Sequence, residues 1–195
     1  MSISVADTYS VDPLVWGTLI WRRFRSNRVA LIGGWLMAGF LVVAVLAPWI
    51  APYDPIEQHL YDRLESPNIE HPFGTDDFGR DILSRVIFGT RISLRIGITC
   101  VSIALVAGTC IGLVAGFYGG SIDQGLMRMI DLMLAFPSIL LAIGIVAIIG
   151  PGLDNAMIAI GVVGIPQYAR LIRASTLSVR EADYVQALRA LGAND

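Results

Sequence analysis

No lysine occurs among the 195 residues, and all fourteen basic side chains are arginine. A Walker-type phosphate loop needs its lysine, so the chain has no such means of holding a nucleotide. Histidine and cysteine are scarce, two of each. His59 and His71 have no cysteine or third histidine beside them, which argues against zinc and reads as solvated loop histidines. Cys100 and Cys110 lie in one apolar run, about 15 Å apart on a helix, too far to bridge each other. Each reads as a small buried hydrophobe. Charged residues are only 15%, with a net charge of -2, which excludes nucleic-acid binding by bulk electrostatics.

What the chain has in excess is apolar surface. Hydrophobic residues reach 55% and mean hydropathy is +0.66, beyond what a soluble domain can bury, so an all-α membrane protein is expected. Its partner is then the lipid bilayer. Four largely uncharged runs reach or approach spanning length: 29–50, 96–122, 132–149, and 155–169 extended by Leu171 and Ile172. The first run is longer than a signal-peptide core, and cleavage after Ala47 would leave Pro48 just past the cut. It therefore reads as a retained span.

Arg22, Arg23, Arg25 and Arg28 crowd against the first run and anchor segment 1–28 in the cytoplasm. Threading the runs in order puts 51–95 outside, a short turn around Asp123 inside, 150–154 outside, and Arg170 onward inside. Nine arginines then fall inside and five outside, the correct bias for this orientation. The outer segment begins as a loop with Pro52, Pro55, Pro67 and Pro72. From Asp77, an expected N-cap, helical spacing sets Ile82, Leu83, Val86, Ile87 and Leu94 on one face and Arg80, Ser84, Arg91 and Arg95 on another. This predicts an amphipathic interfacial helix leading into the second span at Ile96. Asp76, Asp77 and Asp81 lack the alternation and the glycine of a calcium loop.

Inside the second run Ala104, Gly108, Gly112 and Gly116 recur every fourth residue, a stripe for close helix packing; lining a pore is the functional alternative. Pro137 and Pro166 predict kinks in the third and fourth spans. Arg128 and Asp131 are spaced to form an i, i+3 pair at the cytoplasmic edge. No ionisable residue stands at mid-depth, so a proton relay is disfavoured, and with it a proton-coupled carrier. A secondary carrier or channel subunit not driven by ATP stays as the alternative class. No nucleophile, base and orienting group assemble into an enzyme, and nothing calls for a cofactor or metal.

The tail, 176–195, predicts a short cytoplasmic helix. Tyr184, Val185, Leu188 and Leu191 share one side, Asp183, Gln186 and Arg189 the other, and Gly192 offers a left-handed stop. Pattern alone allows two uses: docking into a partner's groove, or lying on the membrane.

The string YVQALRALGA, 184–193, resembles the coupling loop of ABC importer permeases, Glu-Ala-Ala, three residues, Gly; here Gln186, Ala187, Leu188 and Gly192 hold those positions. Three further strings extend the resemblance: GTDDFGRDILSR at 74–85, GFYGGSIDQGLMRMIDLMLAFPSILLA at 116–142, and PQYARLIRASTLSVREADYVQALRALGA at 166–193. Together they are similar to the dipeptide/oligopeptide/nickel branch, in particular its C-type subunit with one leading span. The resemblance implies a type I ABC importer (MetI-like) transmembrane domain, here about four spans plus a coupling helix that includes Tyr184, Gln186, Ala187, Leu188, Arg189 and Gly192. It implies a non-catalytic permease in the cell membrane. Its partners would be a second permease subunit, two cytoplasmic ATP-binding subunits and an extracytoplasmic solute-binding protein. The family pattern continues past its glycine into two further spans, so the transport domain is expected to be incomplete at Asp195.

Overall fold

The computed structural model describes residues 24–192. Most of the expected cytoplasmic leader, with Arg22 and Arg23, lies outside that range, as do residues 193–195. Six α-helices are described: α1 Arg28–Ile50, α2 Ile82–Tyr118, α3 Gly120–Ala135, α4 Ser138–Ile149, α5 Leu153–Arg180 and α6 Asp183–Ala190. A 3-10 turn, Leu60–Asp62, lies in the loop before α2. Helices α1, α2 and α5 are long and apolar enough to cross a membrane, and α3 with α4 makes a fourth if the bent pair is one span. The chain divides into two compact units at Ile92/Ser93, a few residues before the expected boundary at Arg95.

In the first unit Asn27 caps α1, its side-chain oxygen accepting from the Val29 and Ala30 amides at 3.0 and 3.3 Å. Beyond the cap α1 is apolar on every side, with Trp35, Leu36, Val45 and Trp49 exposed, as a lipid-facing rod must be. The loop that follows is irregular and mostly exposed through Glu70, as its prolines imply, but its end is tied down by hydrogen bonds. Glu65 donates its amide to Thr75 Oγ1 at 2.9 Å, the Thr75 hydroxyl donates to the Asp62 carbonyl, and Gly74 packs against the Glu65 carbonyl with φ +73°. The start of α2 also differs from expectation. Asp81, not Asp77, accepts the Ser84 amide at 2.7 Å, because a bridge from Thr75 to Asp81 holds the preceding residues out of the helix.

From there α2 runs unbroken through the expected interfacial segment and the span behind it, ending at Tyr118 and not Ile122. Gly119 and Gly120, both at positive φ, make the turn. Asp123 therefore sits in the first turn of α3 and not in the loop.

In the second unit α2 and α5 run parallel. Cys100 Sγ donates to the Met157 carbonyl at 3.3 Å, Gly108 meets Tyr168, Gly112 meets Ile172 and Gly116 meets Thr176, so contacts join residues about sixty positions apart along the whole interface. An added Cβ at Gly108 would stand 2.6 Å from Tyr168 Cβ, and one at Gly116 2.7 Å from Thr176 Cβ. Gly161 and Gly164 reciprocate from α5 against Ile103 and Ala104. Bare backbone on both sides allows this approach. Parallel neighbours require a return crossing, which α3 and α4 supply.

That return is sharply broken. The helices α3 and α4 meet at 96°, with Phe136 extended (φ -93°, ψ 139°) before Pro137, as the proline ring demands of its predecessor. Pro166 behaves differently: it is buried within α5, and the helix continues through it. Of the two prolines expected to kink a span, Pro137 stands at a break between helices and Pro166 lies inside a helix that continues on both sides.

Candidate functional site

Three arginines on the last turns of α5 gather the ends of the neighbouring helices. Arg173 grips the Asp123 carboxylate with Nε and Nη2, both at 2.5 Å, a two-pronged bond that ties α3 to α5. Arg170 Nη2 reaches Asp131 at 2.6 Å. Arg180 Nη1 donates to the Phe117 carbonyl at 3.2 Å and approaches that of Gly116 at 3.4 Å, occupying carbonyls that the end of α2 leaves without intrahelical partners. The expected Arg128–Asp131 pair is therefore corrected. Asp131 turns to Arg170 because the packed α5 presents a guanidinium to it across the interface, and Arg128 instead lines a small cavity beside Asp123 and Arg173.

Immediately beyond Arg180 the chain turns through Glu181 and Ala182 into α6. Asp183 in its first turn and Arg189 in its last both suit the helix dipole. The Val185 and Gln186 amides return to the Ala182 carbonyl at 2.9 and 3.1 Å, and Gly192, at φ +87°, follows the last turn.

The faces of α6 divide otherwise than the pattern implied. Val185 and Arg189 turn inward, over an apolar cleft of about 390 Å³ formed with Leu113, Phe117, Ile172 and Val179. Tyr184, Leu188 and Leu191 turn outward and are 62%, 53% and 84% exposed. Val185 thus leaves the stripe, because one side of this short helix must seat on its own chain. Gln186 and Ala187 are also exposed. The remainder is an exposed apolar surface: Tyr184 and Leu188 on α6 and Leu191 just after it, with the helix seated against the α2 and α5 ends.

At the other end of the α2/α5 pair Arg95 Nη2 meets Asp154 at 2.6 Å. In the first unit, His71 is buried and not solvated. Its Nδ1 lies 3.0 Å from Asp81 Oδ1, and its ring packs 4.8 Å from that of Tyr53, whose amide donates to Ser84 Oγ at 3.1 Å. Burial pulls the Asp81 carboxyl upward, but hydrogen bonds from Ser84 and His71 outweigh it and hold it below the ordinary range. Asp76 is held lower, at about 2, where burial is overcome by hydrogen bonds from Arg80 and the Phe78 amide.

The α5 arginines and the His71–Asp81 contact were missed in the sequence. The only signal for the arginines was three cations on the final turns of a span; the histidine had none, since ten residues separate it from its partner.

Comparisons with known proteins bear on both units. Residues 16–67 match the N-terminal TM domain of oligopeptide transport permease C, and residues 108–195 match the binding-protein-dependent transport system inner membrane component. The second match covers the glycine stripe, the arginine cluster and α6. A dipeptide transport system permease protein of Alkalihalophilus pseudofirmus is 46% identical over 88% of the chain and 56% of its own length. The corresponding Haemophilus influenzae protein is 45% identical over 89% and 61%. A glutathione transport system permease protein of Pectobacterium atrosepticum is 44% identical over 90% and 58%. The chain thus spans between 56% and 61% of the length of these relatives. The chain carries two domains in order, the N-terminal TM domain of oligopeptide transport permease C and the binding-protein-dependent transport system inner membrane component, and its relatives are dipeptide and glutathione transport system permease proteins.

Proposed function

We propose that this chain is a permease subunit of an ATP-binding cassette importer, forming part of the transmembrane path for di- or oligopeptides or a related small solute such as glutathione. It lies in the cell membrane with segment 1–28 in the cytoplasm, 51–95 outside, and the permease domain from 96 onward. A second permease subunit completes the path, two cytoplasmic ATP-binding subunits drive it, and an extracytoplasmic solute-binding protein delivers the cargo. The chain itself is not catalytic.

One observation carries this reading: Tyr184, Leu188 and Leu191 stand exposed on a helix whose other face is seated against α2 and α5. A partner that grips this stripe moves a helix joined by one short turn to α5, and α5 carries the ionic ties to α3. Motion of the ATP-binding subunits would thereby reach the spans. The dipeptide and glutathione names of the relatives support the solute class.

The test is Leu188→Glu introduced at the protein's own gene, so that every natural partner is present. A charge at the centre of an apolar contact is expected to lower co-purification of the ATP-binding subunits about thirtyfold, with membrane insertion unchanged. Undiminished co-purification would remove α6 from the coupling path.

A further inference from the structure

The first unit contains a groove of about 790 Å³ between the loop at Pro55 and Ile56 and the first turns of α2. Two kinds of side chain line it. Arg80, Arg85 and Arg91 supply positive charge; Ile56, Val86 and Ile92 supply an apolar wall, each more than half exposed. At Gly89 an added Cβ would meet nothing within 4 Å, so the floor is open.

The charge is not balanced within the groove. Arg80 and Arg85 share one carboxylate oxygen, Asp76 Oδ2, and Arg91 adds a further cation. The acids flanking the loop wall are turned elsewhere: Asp54 accepts the Ile56 amide at 2.8 Å, and Glu57 lies 3.5 Å from His59. The groove therefore holds two net positive charges beside exposed aliphatic carbon. Arg91 stands five residues before Ile96, where the apolar run of α2 begins, so its place along the helix is the level of lipid headgroups. A small soluble anion would satisfy the guanidiniums and leave Ile56, Val86 and Ile92 in water. A ligand with phosphate at one end and hydrocarbon at the other satisfies both.

We propose that this groove is a binding site for an anionic phospholipid, its phosphate held by Arg85 and Arg91 and its first acyl carbons laid along Ile56, Val86 and Ile92. Arg80, stacked 4.8 Å from the Phe78 ring and bonded to Asp76, forms the fixed end of the site. The site does not depend on the coupling role of α6.

The experiment is native mass spectrometry of the full protein released from mixed phosphatidylglycerol and phosphatidylcholine vesicles, counting lipids retained. Wild type is expected to retain phosphatidylglycerol preferentially. Arg91→Gln should reduce that retention about fivefold, and Arg85→Gln with Arg91→Gln about twenty-five-fold, whereas Arg63→Gln, outside the groove, leaves it unchanged. Excess inorganic phosphate should not displace the lipid. Equal retention of the two lipids by wild type, undiminished retention in Arg91→Gln, or full displacement by phosphate would each overturn the proposal. If the double variant fails to fold, the single Arg91→Gln variant decides.

Discussion

At Gly112 an added Cβ would stand 2.5 Å from the Ala169 carbonyl oxygen and 2.9 Å from Ile172 Cβ, and neither backbone nor branched carbon can step aside cheaply. Gly97, on the same helix, faces nothing within 4 Å. These two glycines look alike in the sequence and differ entirely in what they permit. Gly112→Val is predicted to cost about 1–3 kcal/mol by overpacking the α2/α5 contact, lowering the thermal midpoint of the detergent-solubilised protein. Gly97→Ala should leave that midpoint unchanged. Equal midpoints for the two variants would mean that α2 and α5 do not approach as described. The fourfold spacing from Ala104 to Gly116 made this face legible, because small residues at one helical period leave few other uses. The partner was not legible: Tyr168, Ile172 and Thr176 have no pattern that ties them to α2.

Among the elements, the loop before α2 departs furthest from its sequence appearance. Its proline-rich part is irregular and exposed as expected, but at its end His71, Thr75, Asp81 and Ser84 are buried and fix the first turn of the helix. Long-range hydrogen bonds between polar side chains leave no periodic trace, which is why pattern alone points to Asp77 as the cap and leaves His71 in solvent. Two hydrogen-bonded carboxylates, buried Asp81 and half-buried Asp76, give this loop a definite response to acid. Asp76 and Asp81 both titrate below the ordinary carboxylate range in the folded protein, so each stabilises the loop above its unfolded pKa, and that contribution is lost as pH falls through the folded value. Hydrogen-exchange protection of residues 65–86, corrected for intrinsic rates, is therefore predicted to stay level from neutral pH to about 4 and to fall toward pH 2. Protection already lost near pH 6 would contradict this assignment. The break between α3 and α4 was half legible: Pro137 announced a disturbance, but its neighbour Phe136, forced into extended backbone, turned a kink into a 96° corner. Pro166 carried the same signal and produced no break, since proline alone does not say whether packing will hold the helix on either side.

For the whole molecule, the apolar runs and their arginine flanks anticipated a multi-pass helical protein, and the described helices agree in number with three spans or four. What hydropathy could not supply is that α2 and α5 run side by side in the same direction, with Arg95–Asp154 at one end and the arginine cluster of α5 at the other. That arrangement brings α6 beside the end of α2 and turns Val185 inward, while Tyr184, Leu188 and Leu191 are left exposed. We propose that this stripe is held by an ATP-binding subunit in the cytoplasm. The most direct measurement is photo-cross-linking in intact cells from a photoreactive residue substituted at Leu188, with a membrane-impermeant thiol reagent applied to a separate Leu188→Cys variant. The account predicts an adduct with the ATP-binding subunit and no labelling from outside. Labelling by the impermeant reagent, with no such adduct, would contradict it.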